Sequence, residues 1–317
     1  MGFRIGIVGS GAIGTYYGAK LAHSGSDVHF LMRGDLADIR CEGICVRGPG
    51  EKFRVAKINC YNSTKEIGAC DLVLIAVKAT SNCDLVDLVP PLLHEGTLLL
   101  TLQNGLGNEE FLAEQFGAQR LLGALCFIAV NRISRIEIER SAHGDIVLGE
   151  HGRAAQSRTH EVAAKFRRAG IKCEVTENLA RERWRKLVWN IPFNGLSILA
   201  GGIDTAAIIG DAHLRKLTLE LMSEVIVAAN KCGHALPRDS WRELMKRSET
   251  MGPFRPSTLL DWEVGKPLEI DAIWGEPLRR ARVAGFDMPR TDTVYALLKK
   301  LDQQRSGKNS TALSGQL

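Results

Sequence analysis

A glycine-rich segment near the start of the chain has the composition of a phosphate-binding turn. An apolar run at positions 4–8 leads directly into Gly9, Ser10, Gly11, Ala12, Ile13 and Gly14, which we call the glycine loop. In a loop between a strand and a helix, Gly9 permits the tight turn, Gly11 lets a pyrophosphate approach the backbone, and Gly14 lets the helix pack closely. The helix start favours a diphosphate, because its unpaired amides lie at the positive end of the dipole. The segment predicts a dinucleotide site; the alternative is a chance glycine-rich turn.

The end of the second predicted strand, at 28–32, bears on which dinucleotide is bound. NAD-binding domains usually place an acidic residue about 20 residues after the glycines, where it holds the ribose 2′-hydroxyl. Here Met32 is followed by Arg33 and Gly34. The planar guanidinium of Arg33 can pair with a 2′-phosphate, which favours NADP(H). The alternative is a solvated arginine, with Asp35 holding the ribose.

Two further predicted strands also end in polar residues. Lys78 follows the apolar run 71–77, and the strand at 97–102 ends in Gln103-Asn104-Gly105. Ligands of an open parallel sheet bind beyond the carboxyl ends of its strands, so Lys78 and Asn104 are candidate cofactor ligands. Lys78 has a second interpretation, in which its stem covers apolar surface and its ammonium reaches water.

A third set of candidates lies in the second half of the chain. Lys186, Asn190 and Asn194 are spaced at i, i+4 and i+8, so on a helix they share one face. Such a face beside apolar neighbours suits a ligand; alternatively Lys186 belongs to a basic surface and the asparagines are local caps. Glu269 and Asp271 lie in the segment 267–271, whose other residues are apolar, and a lone glutamate at a helix start is usually a dipole partner.

The elements that must position these residues fall into two groups. Strand and helix patterns alternate up to about residue 175, which is typical of a doubly wound parallel sheet. Two alternating segments, 136–139 and 145–148, predict an antiparallel edge pair. Beyond residue 177 nearly all patterns are helical. We therefore predict an α/β Rossmann-type domain at 1–177, an all-helical domain at 178–305 and a flexible tail at 306–317.

Composition excludes several classes of function. The formal charge of +5 is modest for 317 residues and no long run of like charge occurs, so nucleic-acid binding is not expected. The apolar stretch 187–203 is interrupted by polar residues and a proline and does not predict a membrane span. Eight scattered cysteines lack metal-ligand spacing, so we expect reduced thiols and no metal. Without a recognisable signal segment, a cytoplasmic protein is expected.

Taken together, these motifs resemble the ketopantoate reductase (2-dehydropantoate 2-reductase) family over about residues 3 to 300. The resemblance rests on the glycine loop, Lys78, the segment 103–107, Trp184-Arg-Lys-Leu with its two asparagines, and Leu268-Glu-Ile-Asp271. It implies NADPH-dependent reduction of ketopantoate to pantoate, as in pantothenate biosynthesis, by a monomer or homodimer. It also implies roles for individual residues. Lys186 would be the proton donor, Glu269 would bind substrate and hold that lysine, Asn104, Asn190 and Asn194 would orient cofactor and substrate, and Ser257 would hold the substrate carboxylate.

Two departures from the family pattern concern the substrate side. Phe254 stands where many relatives have asparagine, and Gly265-Lys-Pro-Leu precedes Glu269 in place of the usual arginine-x-threonine. A paralogue that reduces another 2-oxo acid therefore stays open. A non-catalytic NADPH-binding regulator would not need Lys186 with Glu269. Opine-type and 3-hydroxyacid dehydrogenases share this domain plan but normally rely on a histidine-based acid–base pair, and no histidine here occupies a comparable motif.

Overall fold

The structure is a computed structural model that describes residues 2–34 and 36–314, with side chains described up to residue 305. The chain divides into two compact units, Met1–Leu179 and Ala180–Leu317, which we describe separately. The sequence prediction placed this boundary between residues 177 and 178.

The first unit is built on one sheet. Its strands are β1 (Arg4–Val8), β2 (Asp27–Leu31), β3 (Ile44–Gly48), β4 (Glu51–Val55), β5 (Asn59–Tyr61), β6 (Leu72–Ile75), β7 (Leu98–Thr101), β8 (Leu121–Arg132), β9 (Glu137–Glu150) and β10 (Cys173–Val175). Its α-helices are α1 (Ala12–His23), α2 (Leu36–Glu42), α3 (Thr64–Ile67), α4 (Leu85–Leu88), α5 (Asn108–Phe116) and α6 (Ser157–Arg168). Short 3₁₀ segments lie at Ala79–Asp84, Pro90–Leu92 and Ala118–Arg120.

The strand order confirms the predicted doubly wound sheet. Strands β5, β2, β1, β6, β7 and β8 lie side by side in that order and are all parallel. The chain winds from β1 towards β2 on one side and resumes with β6 on the other. The carboxyl ends of β1, β2, β6 and β7 therefore meet where the winding reverses, which is the usual ligand position in such sheets.

Both faces of this parallel sheet are covered. Ile5 and Ile7 of β1 pack into one apolar cluster, while Val8 packs into a second cluster on the opposite face. All three side chains are completely buried. Burial on both faces explains why these strands have continuous apolar sequences. Gly18 of α1 permits close packing on this sheet, because a Cβ there would lie 2.4 Å from the ring of Phe30.

The predicted antiparallel edge pair at 136–139 and 145–148 is wrong. Apart from Ile136, which directly precedes it, both segments belong to the single long strand β9, whose antiparallel partner is β8. His143 (φ 55°) and Gly144 (φ 135°) interrupt the alternation and divide its pattern in two. Nor is β9 an edge, since β3 and β10 pair with it in parallel.

A partly buried cluster of charges connects strand β4 to helix α1. Glu51 accepts hydrogen bonds from Tyr16 (3.1 Å), Lys20 (3.0 Å) and Arg140. Burial by itself raises the pKa of Glu51, but the hydrogen bonds from Arg140 and Lys20 and the charge of Lys20 outweigh it and hold that pKa below its ordinary value. Burial next to this carboxylate raises the pKa of Tyr16.

The second unit is helical. It contains α7 (Leu179–Leu199), α8 (Thr205–Gly210), α9 (Ala212–Lys231), α10 (Trp241–Met251), α11 (Ser257–Glu263), α12 (Glu276–Val283) and α13 (Pro289–Ser314), with a π-helical turn at Asp271–Gly275 before α12. Because α13 continues to Ser314, residues 306–314 of the predicted tail are helical, and residues 315–317 lie outside the described residues. The flexibility of this segment stays a prediction. No helix in the described ranges is long and apolar enough to span a membrane.

Candidate functional site

The three glycines of the glycine loop differ in their surroundings. A Cβ on Gly9, whose φ is +105°, would lie 2.3 Å from the backbone nitrogen of Val77, and a Cβ on Gly14 would lie 2.1 Å from the carbonyl oxygen of Gly9. Both positions therefore require glycine for the fold itself. A Cβ on Gly11 would meet no heavy atom within 4 Å. Gly11 thus keeps an open backbone surface at the start of α1, as a bound pyrophosphate requires.

The start of α1 has the electrostatic character of an anion site. No side chain caps the helix at Gly11, and its first turn contains no acidic residue. Ala12 and Ile13 form the first turn of the helix, where backbone amides lack intrahelical partners. These observations fit a dinucleotide diphosphate held by backbone amides and the helix dipole.

Ser10 forms hydrogen bonds that connect the glycine loop to β2, α1 and β8. Its hydroxyl donates to the carbonyl oxygen of Leu31 at the end of β2 (2.6 Å), and its own carbonyl accepts hydrogen bonds from Thr15 Oγ1 (3.0 Å) and Arg132 Nη1 (3.0 Å). Arg132 was not among the sequence candidates. It lies at the end of β8, more than a hundred residues away in sequence, and no local motif connects it to the glycines. The pairing brings a guanidinium next to the predicted diphosphate site.

Arg33 lies just beyond β2, at the sheet edge where the sequence predicted a phosphate ligand. Its side chain is 73% exposed and pairs with Asp84 through Nη2 and Oδ2 at 2.7 Å. Exposed ion pairs of this kind contribute about 0–1 kcal/mol, so a phosphate can replace Asp84 at little cost. Asp35, the alternative ribose ligand, lies outside the described residues.

A network of amides connects the carboxyl ends of β6 and β7. The buried Gln103 donates to Asn82 Oδ1 (2.7 Å) and accepts a hydrogen bond from Thr101 Oγ1 (2.9 Å). Asn82 in turn donates to Asn108 Oδ1 (3.0 Å), and Asn108 donates to the carbonyl oxygen of Asn104 (2.8 Å). The network fixes the turn that presents the half-buried Asn104.

The same network reaches the segment after Lys78. Lys78 directly precedes the 3₁₀ turn that contains Asn82, so the two candidate cofactor ligands Lys78 and Asn104 follow neighbouring strands and are fixed by shared contacts. Neither Asn82 nor Asn108 was among the candidate residues, and Asn108 lies at the start of α5. The N-cap residue is Gly107, which has a φ of 88°, and Asn108 is the first helical residue. Amide residues just beyond two strand ends were the only available signal.

In the second unit, α7 presents Lys186, Asn190 and Asn194 at the predicted spacing. Lys186 is half-buried, whereas Asn190 and Asn194 are only 6% and 2% exposed. Asn194 Oδ1 is the one buried side-chain oxygen without a hydrogen-bond partner in the part of the chain described. An unpaired buried acceptor costs about 1–3 kcal/mol, so this oxygen suits a hydrogen-bond donor from a bound ligand.

The packing around this end of α7 is close and specific. A Cβ on Gly195 would lie 2.7 Å from Val294 Cγ1, so α7 approaches α13 closely only with glycine there. Pro192 removes one amide donor from the helix, and the indole of Trp274 donates to the neighbouring carbonyl of Ile191 at 3.1 Å. These contacts fix the packing of α7 beside the two asparagines.

Glu269 and Ser257 lie at two helix starts of the same unit. Glu269 is half-buried, and its carbonyl oxygen accepts a hydrogen bond from Ile273 in the π-helical turn (3.1 Å). Asp271, two residues later, accepts hydrogen bonds from Tyr295 and Lys299. Ser257 is the first residue of α11 and its side chain is exposed. The predicted cofactor ligands thus belong to the first unit, and the predicted catalytic and substrate residues to the second.

Comparison with known proteins gives consistent matches over both units. The sequence model of the family "Ketopantoate reductase PanE/ApbA" matches residues 5–153, and that of "Ketopantoate reductase PanE/ApbA C terminal" matches residues 178–302. A 2-dehydropantoate 2-reductase from Nostoc sp. is 37% identical over 313 residues, which are 97% of each chain.

Solved structures agree with these sequence matches. A crystal structure of 2-dehydropantoate 2-reductase from Geobacter metallireducens superposes with a TM-score of 0.92 at 42% identity, covering 94% of this chain and all of the other. That of the Methylococcus capsulatus 2-dehydropantoate 2-reductase gives a TM-score of 0.89 at 32% identity, covering 96% and 98%.

Proposed function

Because the chain belongs to the ketopantoate reductase family, we infer that it catalyses the reduction of 2-dehydropantoate to pantoate, a step of pantothenate biosynthesis. The structural observation that carries this inference is the face of α7. There a lysine and two nearly buried asparagines share one side of a helix, and one asparagine oxygen has no partner among the described residues.

The first unit binds a nicotinamide cofactor. When bound, this cofactor provides the hydride for the carbonyl carbon of the substrate. The open surface at Gly11 and the uncapped start of α1 support binding of its diphosphate there. We propose NADPH as the preferred cofactor, because Arg33 is exposed at the end of β2 and its partner Asp84 is easily replaced. Lys78 and Asn104 complete the proposed cofactor ligands.

The second unit supplies the proton. We assign the role of general acid to Lys186, whose ammonium stabilises negative charge developing on the carbonyl oxygen and then transfers a proton to it. The product is a 2-hydroxy acid, and the neutral lysine regains its proton from water. Glu269 is assigned to hold this lysine and to contact substrate.

The remaining polar groups orient the substrate. Asn190 and Asn194 offer amide donors and an unpaired acceptor next to Lys186 on the same helix face. Ser257, with an exposed hydroxyl at the start of α11, is assigned to the substrate carboxylate. The assignment of roles to individual residues rests on this geometry and on the family resemblance of their motifs.

A panel of 2-oxo acids tested with NADPH and with NADH, followed by the loss of nicotinamide absorbance, tests the proposal. We expect the highest kcat/KM for 2-dehydropantoate with NADPH. A higher value for another 2-oxo acid would identify a paralogue with altered specificity. Tight NADPH binding without turnover of any 2-oxo acid would instead indicate a regulator. The cytoplasmic location and the monomeric or homodimeric state stay predictions.

A further inference from the structure

We propose that Thr205 is a positioning residue for the substrate, because it holds the segment that leads to Ser257. The inference rests on the proposed function, in which Ser257 binds the substrate carboxylate. Nothing in the sequence pattern singles out Thr205, which lies about fifty residues before Ser257 and outside every motif discussed above.

The segment 252–256, which joins α10 to α11, has little regular structure of its own. It contains Gly252, with φ of 73°, and two prolines that cannot donate backbone hydrogen bonds. Its position therefore depends on contacts with neighbouring elements. Ser257 follows this segment directly and makes no side-chain hydrogen bond to any residue the structure describes, so the serine is placed by its backbone alone.

Thr205 makes three hydrogen bonds to this segment, while Arg255 pairs with Glu263 of α11. It is completely buried at the start of α8, and its backbone amide donates to the carbonyl oxygen of Phe254 at 2.9 Å. Its hydroxyl donates to the carbonyl oxygen of Gly252 and accepts from the amide of Phe254, both at 3.2 Å. The Phe254 amide also reaches the Gly252 carbonyl at 2.8 Å, so losing the hydroxyl should loosen the segment without leaving these groups wholly unpaired.

The same segment contacts the helix that carries Lys186. The ring of Phe254 packs edge-on against Trp189 of α7, with 5.9 Å between centroids, and Trp189 packs on Phe193 at 4.9 Å. The Trp189 indole donates to Ser248 of α10 at 2.9 Å, which fixes the indole in place. By holding Phe254 against Trp189, Thr205 sets the position of Ser257 relative to α7.

The test compares Thr205→Val, which keeps the shape but lacks the hydroxyl, with Thr205→Ser, which keeps the hydroxyl. We expect Thr205→Val to raise KM for the 2-oxo acid about 5- to 30-fold, the range for one or two lost hydrogen bonds. The fall in kcat should be smaller, the dissociation constant of NADPH should be unchanged, and Thr205→Ser should lie within about twofold of the wild type. Thr205→Ala, which also lacks the hydroxyl, serves if the valine variant does not fold.

A double-mutant cycle with Ser257→Ala separates positioning from general destabilisation. If Thr205 acts through Ser257, the double variant should have nearly the KM of Ser257→Ala alone, because coupled residues are not additive. The inference would be overturned if the double variant showed the product of the two single effects on KM. It would also be overturned if KM were unchanged in Thr205→Val, or if kcat, KM and NADPH affinity were all impaired to the same extent.

Hydrogen exchange of the 252–257 backbone gives a readout that does not depend on turnover. Exchange should accelerate in Thr205→Val and not in Thr205→Ser, and an unchanged rate would overturn the inference. A wild-type protein that reduces no 2-oxo acid would refute the proposed function instead, while the exchange experiment would still test the role of Thr205.

Discussion

Replacing Gly11 by alanine should separate cofactor binding from folding. The backbone at Gly11 has φ of −73° and ψ of −165°, a conformation open to any residue, and the added Cβ meets no heavy atom within 4 Å. The folded protein therefore tolerates the methyl group. The same methyl group should block a bound pyrophosphate, because it would occupy the space between the phosphate oxygens and the backbone of Gly11.

The size of both effects follows from the local structure. Replacing glycine by alanine in a compatible conformation stabilises the protein by about 0.4–1 kcal/mol, because the unfolded chain has less conformational entropy to lose. Alanine is a poorer N-cap residue than glycine, and this lowers the stability by a similar amount. The free energy of unfolding should thus change by less than about 1 kcal/mol. Displacing the diphosphate from one charge-assisted hydrogen bond costs about 1.5–3 kcal/mol, which raises the dissociation constant of NADPH about 10- to 150-fold.

Gly14→Ala is the matched control. Its Cβ would lie 2.1 Å from the Gly9 oxygen, well inside the ordinary contact distance of about 3.5 Å, so the loop must move. Overpacking of this kind costs about 1–3 kcal/mol of stability. Denaturant unfolding and fluorescence titration with NADPH measure the two quantities separately. Wild-type NADPH affinity in a folded Gly11→Ala protein would refute the placement of the diphosphate at the glycine loop.

Three further predictions address charge. Arg33→Ala should weaken NADPH binding by about 1.5–3 kcal/mol and leave NADH binding nearly unchanged in the same titration; equal losses would contradict a 2′-phosphate contact. Lys186→Ala should lower kcat about 100- to 10,000-fold in steady-state assays while NADPH still binds, and Lys186→Arg should not restore turnover because a guanidinium keeps its proton. Near-native turnover of Lys186→Ala would rule out the proposed acid. Glu51→Gln should lower stability at neutral pH. Because the folded pKa of Glu51 is depressed, the difference from wild type should shrink as pH falls below about 4.5, and a difference that persists in acid would show that Glu51 does not act through its charge.

The sequence predicted those parts of the fold whose signals are local. Residues Leu72–Ile75 are apolar on both faces because the strand is buried on both faces, so the run itself indicates a central parallel strand. The signal of the glycine loop is local in the spacing of its glycines, and Gly14 packs against the carbonyl of Gly9 five residues earlier, although Gly9 itself lies against Val77 just beyond β6. The face of Lys186, Asn190 and Asn194 depends only on helical spacing.

The missed features are tertiary. Period-two alternation indicates a strand but not its partner, and β3 pairs with β9 across ninety-two residues at Cys45 and Glu137. The amide network joins Asn82 to Gln103 and Asn108 through contacts that have no sequence spacing in common. Thr205 likewise contacts residues 47 and 49 positions away. Phe254 stood out as a departure from the family, but its packing on Trp189 required the structure.

Two of the positions assigned to ligands, Gly11 and Asn194, share a physical property that their supporting residues lack. Gly11 has an open backbone surface, and Asn194 Oδ1 is buried without a partner in the described chain. The supporting residues instead make close contacts within the fold: Gly14 packs against the Gly9 carbonyl, and Thr205 forms three hydrogen bonds. A group left unpaired by the fold does not stabilise it, and a buried unpaired acceptor even costs stability, so the loss on replacing such a group should be felt in binding. A group whose contacts are all within the fold affects ligand binding only indirectly, because its replacement must first move a neighbouring residue. Binding and unfolding measurements on one variant of each kind therefore distinguish residues that touch the ligand from residues that place them.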